Sequence, residues 1–324
     1  MLIKNFLAIV IAWLIDQWFG DPPHWPHPVK WFGRMIAFCD RRLNKGNYKV
    51  IKGYIMVIFL SGCLFCLSFL LVAYVYQIFP LYVGIVLEAL LIAPTIAQKG
   101  LKDAAHAVLY PLKRGNLQTA REQLNNIVGR DTNDLNEAEI TRGTVETVAE
   151  NINDGITAPM FWALIGGAPF ALVYRLINTC DSMVGYKNDM YIDFGRASAI
   201  IDDIVNYIPA RLTGLAIMCA KKPLHTPYVD AWTIVRRDAK KHASPNSGWM
   251  EASVAAILGV QLGGVNYYAG KRSKSQKLGE PFAVLNVQHI LLTISIMKRA
   301  VFIFLVGGFF IVITFTWIKS SLCL

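Results

Sequence analysis

Three apolar runs, at residues 51–79, 81–97 and 300–318, constrain this chain more than any other feature. Each approaches the roughly 20 residues that a helix needs to cross the hydrocarbon core of a bilayer. Pro80 separates the first two, which makes them a tight hairpin. A further run at residues 2–18 is shorter. It lacks the small-residue cleavage pattern of a signal peptide and aromatics follow it, so it is read as a retained membrane helix. Residues 156–179 are also apolar but contain Pro159, Gly166, Gly167, Pro169 and Arg175. Prolines and paired glycines break a helix, so this is a broken or re-entrant element, stable where protein or water covers the freed backbone. Residues 204–220, with Pro209 and Arg211, and 253–268, with "LGVQLGG", read as buried helices rather than spans.

Charge supports a membrane protein and orients it. Only 17% of the residues are charged, against about a quarter in a soluble domain. The net charge of +10 fits lipid headgroups or anionic substrates. No motif of a nucleic-acid-binding module occurs, so nucleic acid is not expected as a partner. Basic residues crowd the segments between the apolar runs, among them Arg41, Arg42, Lys99, Lys102, Lys240, Lys241, Lys271 and Arg272. The positive-inside rule puts these segments in the cytoplasm, giving about four spans with both termini outside. The chain therefore reads as an all-α polytopic protein of the cytoplasmic membrane. It is one membrane-embedded domain over 1–324, with a helical cytosolic segment at 98–155. Broken and buried helices at 156–297 form the active-site region, facing the cytoplasm. The CxxC of Cys63 and Cys66 lies inside an apolar run and reads as packing.

The densest polar stretch is 139–211. In "ETVAENINDG", Glu146 and Glu150 share a helix face, with Arg142 one turn earlier. Asn151 and Asp154 follow at the helix end, where Gly155 can terminate it. Such carboxylates either form a solvated ion-paired face or hold Mg²⁺. Further on stand Asp181, Tyr186, Lys187, Arg196, Asp202, Asp203, Asn206 and Arg211, within or beside apolar elements. Asp202, Asn206 and Ser198 share one helix face. An internal salt-bridge network and a functional site are equally open readings of this group. In "SPNSGWME", Asn246 to Gly248 read as a turn and N-cap before a helix starting near Trp249, with Glu251 in its first turn. "GVNYYAGK" fails as a P-loop, because it has one residue too many and Arg272 stands where Ser or Thr belongs. In "FGDPPHWPHPVKWFGRM" four prolines exclude a helix interior, so the segment reads as an extended loop.

Four stretches in order carry a family resemblance: "GDPPHWPHPVKWFGRMI", "ETVAENINDGITAPMFW", "NTCDSMVGYKNDMYIDFGRASAIIDDIVNYIPARL" and "SPNSGWMEASVAAILGVQLGG". Together they resemble the adenosylcobinamide-phosphate synthase family, membrane proteins of cobalamin biosynthesis. The resemblance implies an ATP- and Mg²⁺-dependent ligase. It would join a propionate carboxylate of adenosylcobyric acid to (R)-1-amino-2-propanol or its O-phosphate, giving adenosylcobinamide or its phosphate. It also implies association with membrane lipid and with other late enzymes of the pathway.

Amide formation needs an activated carboxylate, groups that offset phosphate charge and a base for the amine. On the matching positions, Glu146, Glu150 and Asp154 are assigned to Mg²⁺ and nucleotide, with Asp203 a further metal candidate. Glu146, Glu150, Asp181 and Asp202 are the catalytic candidates. Lys187, Arg196 and Arg211 would hold phosphate. Asp21 and His27 would line the corrinoid mouth, with Trp25 and Trp31 stacking on its edge. Tyr186, Asn151, Asn206, Asn246 and Glu251 complete the candidate substrate contacts. A membrane sensor of a related architecture and a corrinoid or amine transporter are the competing readings.

Overall fold

The structure, a computed structural model, describes residues 2–20 and 27–322. It is helical apart from one hairpin. The helices are α1 (Leu2–Trp18), α2 (Pro28–Leu43), α3 (Lys49–Ile78), α4 (Leu81–Ile92), α5 (Gln98–Lys113), α6 (Leu117–Asn125) and α7 (Glu137–Ile152). After a π-helical turn at Asn153–Thr157 come α8 (Ala158–Val184), α9 (Arg196–Ala220), α10 (Tyr228–Asp238) and α11 (Ser247–Leu258). The hairpin of β1 (Leu262–Tyr268) and β2 (Lys271–Leu278) precedes α12 (Gln288–Leu322). Four helical stretches are long and apolar enough to cross a membrane: Lys49–Ile78, Leu81–Lys113, Glu137–Val184 and Gln288–Ser321. Three of them contain the three runs that lead the sequence. At 17 residues α1 is not among them, and the fourth contains the segment expected to be broken.

The chain divides into two compact units. The first holds Met1–Ala97, Asp154–Asn206 and Val306–Leu324. Its core is formed where α2, α3 and α8 meet, around Ile36, Met56, Val57, Leu176, Cys180 and Phe194. The break in α8 lies at Gly167, whose φ of 67° is the left-handed conformation that glycine adopts without strain. The freed N–H of Ala168 donates to Glu88 Oε2 at 2.9 Å, so a buried carboxylate of α4 caps the second half of α8.

The second unit holds Gln98–Asn153 and Tyr207–Leu305. Here α5, α6 and α7 pack together, and α11 packs against α7 and α10. A capping box starts α7: Asn136 Oδ1 accepts from Glu139 N at 3.0 Å, and Glu139 Oε2 accepts from Asn136 N at 2.9 Å.

Three local expectations give way. Gly155 does not end α7, because the backbone widens into the π turn and continues into α8. Residues 253–268 are not one helix: Gly259, at φ 68°, closes α11 in a left-handed cap, and a strand follows. The P-loop-like stretch, already excluded on its spacing, is the tip of the hairpin, with no helix behind it to meet a phosphate. The proline-rich segment is not extended throughout. Pro28 occupies the first turn of α2, where its missing N–H does no harm, and His27 Nδ1 caps that helix by accepting from Val29 N at 3.3 Å.

Candidate functional site

In the second unit, α7, α11, the β1–β2 hairpin and the loop after Asn125 enclose a polar cavity of about 280 Å³. Its charged walls are Arg130, Glu146, Glu150, Glu251 and His242. Glu146 is held on several sides. It pairs with Arg130, accepts from Gly263 N at 2.8 Å and lies 3.9 Å from Arg142 Nε. Arg130 and Arg142 both reach Asn266 Oδ1, at 2.6 and 2.9 Å. Arg142 also donates to the carbonyls of Gly263 and Val265. The glycines of β1 make this possible. A register irregularity between Leu262 and Gly264, with φ of 78° at Gly263, directs both main-chain groups of Gly263 toward α7.

Glu150, one turn on, accepts from Ser247 Oγ at 2.9 Å. Ser247 opens α11, and Gly248 beside it has no Cβ to strike the carbonyl of Ala239. Asn246 does not cap α11 with its side chain; its Oδ1 accepts from Arg211 Nη1 at 2.9 Å. Arg211 also donates to the Tyr207 carbonyl at 2.6 Å and lies 3.5 Å over the Tyr207 ring. That guanidinium fastens the 245–247 loop, which leaves it little freedom for the phosphate role expected of it.

Glu251 is the fifth residue of α11, beyond the first turn, so the helix-dipole reading does not apply. It is buried, and burial raises its carboxyl well above the usual range, as do Glu146 and Glu150. His242 lies beside it, with Nε2 3.6 Å from Glu251 Oε1. Asn151 also lines the cavity and donates to the Thr147 carbonyl at 2.9 Å.

The first unit carries a second acidic group. Asp202 on α9 is buried, and burial raises its carboxyl well above the usual range, reinforced by Asp154 and Asp181. Asn206, on the same helix face as expected, donates to Asp202 Oδ2 at 2.9 Å and accepts from Tyr174 OH at 2.9 Å. Arg175 donates to the Asp154 carbonyl at 3.2 Å and to Asn178 Oδ1 at 3.4 Å. Among the described residues no group of three or more His, Cys, Asp or Glu is arranged to hold a metal. Mg²⁺ usually takes one or two carboxylates plus substrate phosphates, however, and the Asp202 group suits that mode.

The other candidates scatter. Tyr186, Lys187 and Arg196 are exposed, and Asp203 is half-buried on α9. Trp31 is 52% exposed on α2. Asp21 and Trp25 lie outside the described residues. Sequence reasoning missed Arg130, His242, Ser247, Asn266, Tyr174 and Asn178 as site residues. The "SPNSGW" turn pointed to Ser247. Arg130 and Asn266 gave no signal, because 136 positions separate them and only the hairpin brings them together.

A family model described as CobD/Cbib protein matches residues 9–297. Among curated proteins, the cobalamin biosynthesis protein CobD of Halalkalibacterium halodurans is 48% identical over 320 residues, covering 97% of this chain and 100% of the relative. The protein of the same name from Klebsiella pneumoniae is 41% identical, covering 90% of this chain and 93% of the relative. Cobalamin biosynthesis protein CbiB of Salmonella typhimurium is 42% identical over the same shares. No solved structure matches.

Proposed function

The chain belongs to the CobD/Cbib protein family, and from that premise we propose that it is an ATP-dependent ligase of cobalamin biosynthesis. It joins a propionate carboxylate of adenosylcobyric acid to aminopropanol or its O-phosphate. The observation that carries the reading is the polar cavity with Glu150 and Glu251 on its walls. At about 280 Å³ it is sized for a small polar molecule rather than a whole macrocycle. Carboxylates at its wall suit a protonated amine.

A carboxylate resists attack by an amine, so its oxygen first takes the γ-phosphoryl group of ATP. As the amine lone pair attacks the acyl carbon the C–O bond to phosphate breaks, one proton of the nitrogen leaves on the phosphate, and the proton that the bound ammonium gives up to free the lone pair needs a base. Glu251 is the base we assign to that proton, since its environment gives it a high proton affinity. Glu150 orients the ammonium, and Ser247 fixes Glu150. Glu146 keeps Arg130 and Arg142 in place, as a positioning residue. Of Asp154, Asp181 and Asp202, one or two carboxylates together with the substrate's phosphates would hold Mg²⁺, which would offset phosphate charge.

The test uses the full chain in detergent with adenosylcobyric acid, ATP, Mg²⁺ and each amine in turn, read by mass spectrometry. A new amide with at least one amine, dependent on ATP, is expected. A folded sample that forms none with either amine overturns the assignment.

A further inference from the structure

Glu251 and His242 stand side by side on the cavity wall. The Glu251 side chain is 9% exposed and that of His242 is 25% exposed. Their charged surroundings are few. Glu146 and Glu150 face Glu251 from α7, and Arg130 faces it from the loop before that helix. Arg130 is already bonded to Glu146 and Asn266. His242 Nε2 lies 3.6 Å from Glu251 Oε1, and its side chain is the more exposed of the two.

The other side of the imidazole is arranged for both of its protonation states. His242 Nδ1 lies 3.1 Å from the Ser244 N–H and 3.3 Å from the Ser244 carbonyl. A bare Nδ1 accepts from the first, and a protonated Nδ1 donates to the second. The ring nitrogen Nδ1 therefore has a main-chain partner in either protonation state.

We infer that His242 relays the amine proton from Glu251 to solvent. The inference rests on the ligase reading above. In balance, the bound ammonium gives one proton to the Glu251 carboxylate, and the lone pair left behind attacks the activated carboxyl carbon. The C–O bond to phosphate breaks, and the second proton lost from nitrogen leaves on the phosphate. Glu251 passes its proton to the bare Nε2 of a neutral His242 whose Nδ1–H rests on the Ser244 carbonyl. The imidazolium releases its Nδ1–H to water, and exchange with water returns the ring to the Nδ1–H tautomer. One proton reaches solvent through the ring for each amide formed, and Glu251 is again a carboxylate.

The experiment compares wild type, His242→Ala and His242→Gln as full chains in detergent. Amide formation is followed by mass spectrometry from neutral to alkaline pH, with and without free imidazole. Amine binding is measured separately by calorimetry. Both variants should lose about a hundredfold in kcat, within the range for a positioned proton-transfer group, while binding the amine as wild type does. Imidazole should restore much of the rate to His242→Ala. Full activity in His242→Gln, which keeps a hydrogen bond but cannot carry the proton, overturns the relay. So does a slow His242→Ala that imidazole does not rescue. Wild type that binds the amine yet forms no amide overturns the ligase reading and the relay with it, whereas loss of the relay alone leaves wild-type turnover intact.

Discussion

Glu146 neutralises two guanidinium groups in a place where neither can reach bulk water freely. Its own side chain is 9% exposed and that of Arg130 is 8%. Removing one partner of a buried pair leaves the other charged and desolvated, at a cost of about 3–5 kcal/mol. Glu146→Ala should therefore lower thermal stability sharply in detergent, and an unchanged melting temperature would show that the pair is dispensable. Asp202 should behave in the opposite way. Its raised proton affinity means that the folded state holds a proton which the unfolded chain releases. Its contribution is thus fully present below the ordinary carboxylate range and is lost as pH rises through the elevated value. Asp202→Asn mimics the protonated form. It should be more stable than wild type at neutral pH, with a flatter pH dependence, while losing turnover. Sequence spacing showed that Glu146, Glu150 and Arg142 share a face, because helical neighbours are local. It could not show Arg130 on Glu146, since that pairing depends on how the chain returns.

At the scale of elements, the break in α8 and the closure around Asp238 show how polar groups fix irregular backbone. Pro169 and the glycine pair revealed that residues 156–179 could not form a simple helix. The group that completes the break, Glu88, sits in an apolar run where nothing marked it. A Cβ on Gly167 would collide with Glu88 Oε2 and would also oppose the positive φ. Gly167→Ala should cost about 1–3 kcal/mol or more, seen as a lower melting temperature in detergent. Asp238, at the end of α10, is a comparable hub in the second unit. Burial works against its charge, but Arg237, Lys241 and the Gly279 N–H together hold its carboxyl down to about 2. That stabilisation is present above the ordinary carboxylate range and disappears as pH falls through about 2. Asp238→Asn should loosen the join between α10 and the exit of β2, raising hydrogen exchange at Gly279 well before the core of α11 responds. Strand β1 was misread as helix because its apolar residues continue those of α11. Gly259, at positive φ, closes the helix before it, and Gly263 and Gly264, also at positive φ, lie within the strand.

For the whole molecule, charge and helix length give different counts of crossings, and the difference can be measured. By length alone, the stretch Glu137–Val184 can cross and α1, at 17 residues, falls short. If α8 crossed completely, the basic residues before and after it would lie on opposite sides of the membrane. Lys99 and Lys102 precede it, whereas Lys221, Lys240, Lys271 and Lys274 follow it. Placing either group outside violates the positive-inside bias. A stretch broken at Gly167, with its freed N–H capped by Glu88 inside the protein, has a structural means of entering and returning on one side. On that reading α1, α3, α4 and α12 make the crossings, as expected from the sequence charges, and the basic segments before and after α8 share one side of the membrane. Single cysteines placed at Lys102, Lys187 and Lys274 in a cysteine-free background should all resist a membrane-impermeant maleimide in intact cells and all react once the cells are opened. Labelling of Lys274 from outside while Lys102 stays protected would mean that α8 crosses. The site would then face away from cytosolic ATP, and the ligase reading would lose its nucleotide.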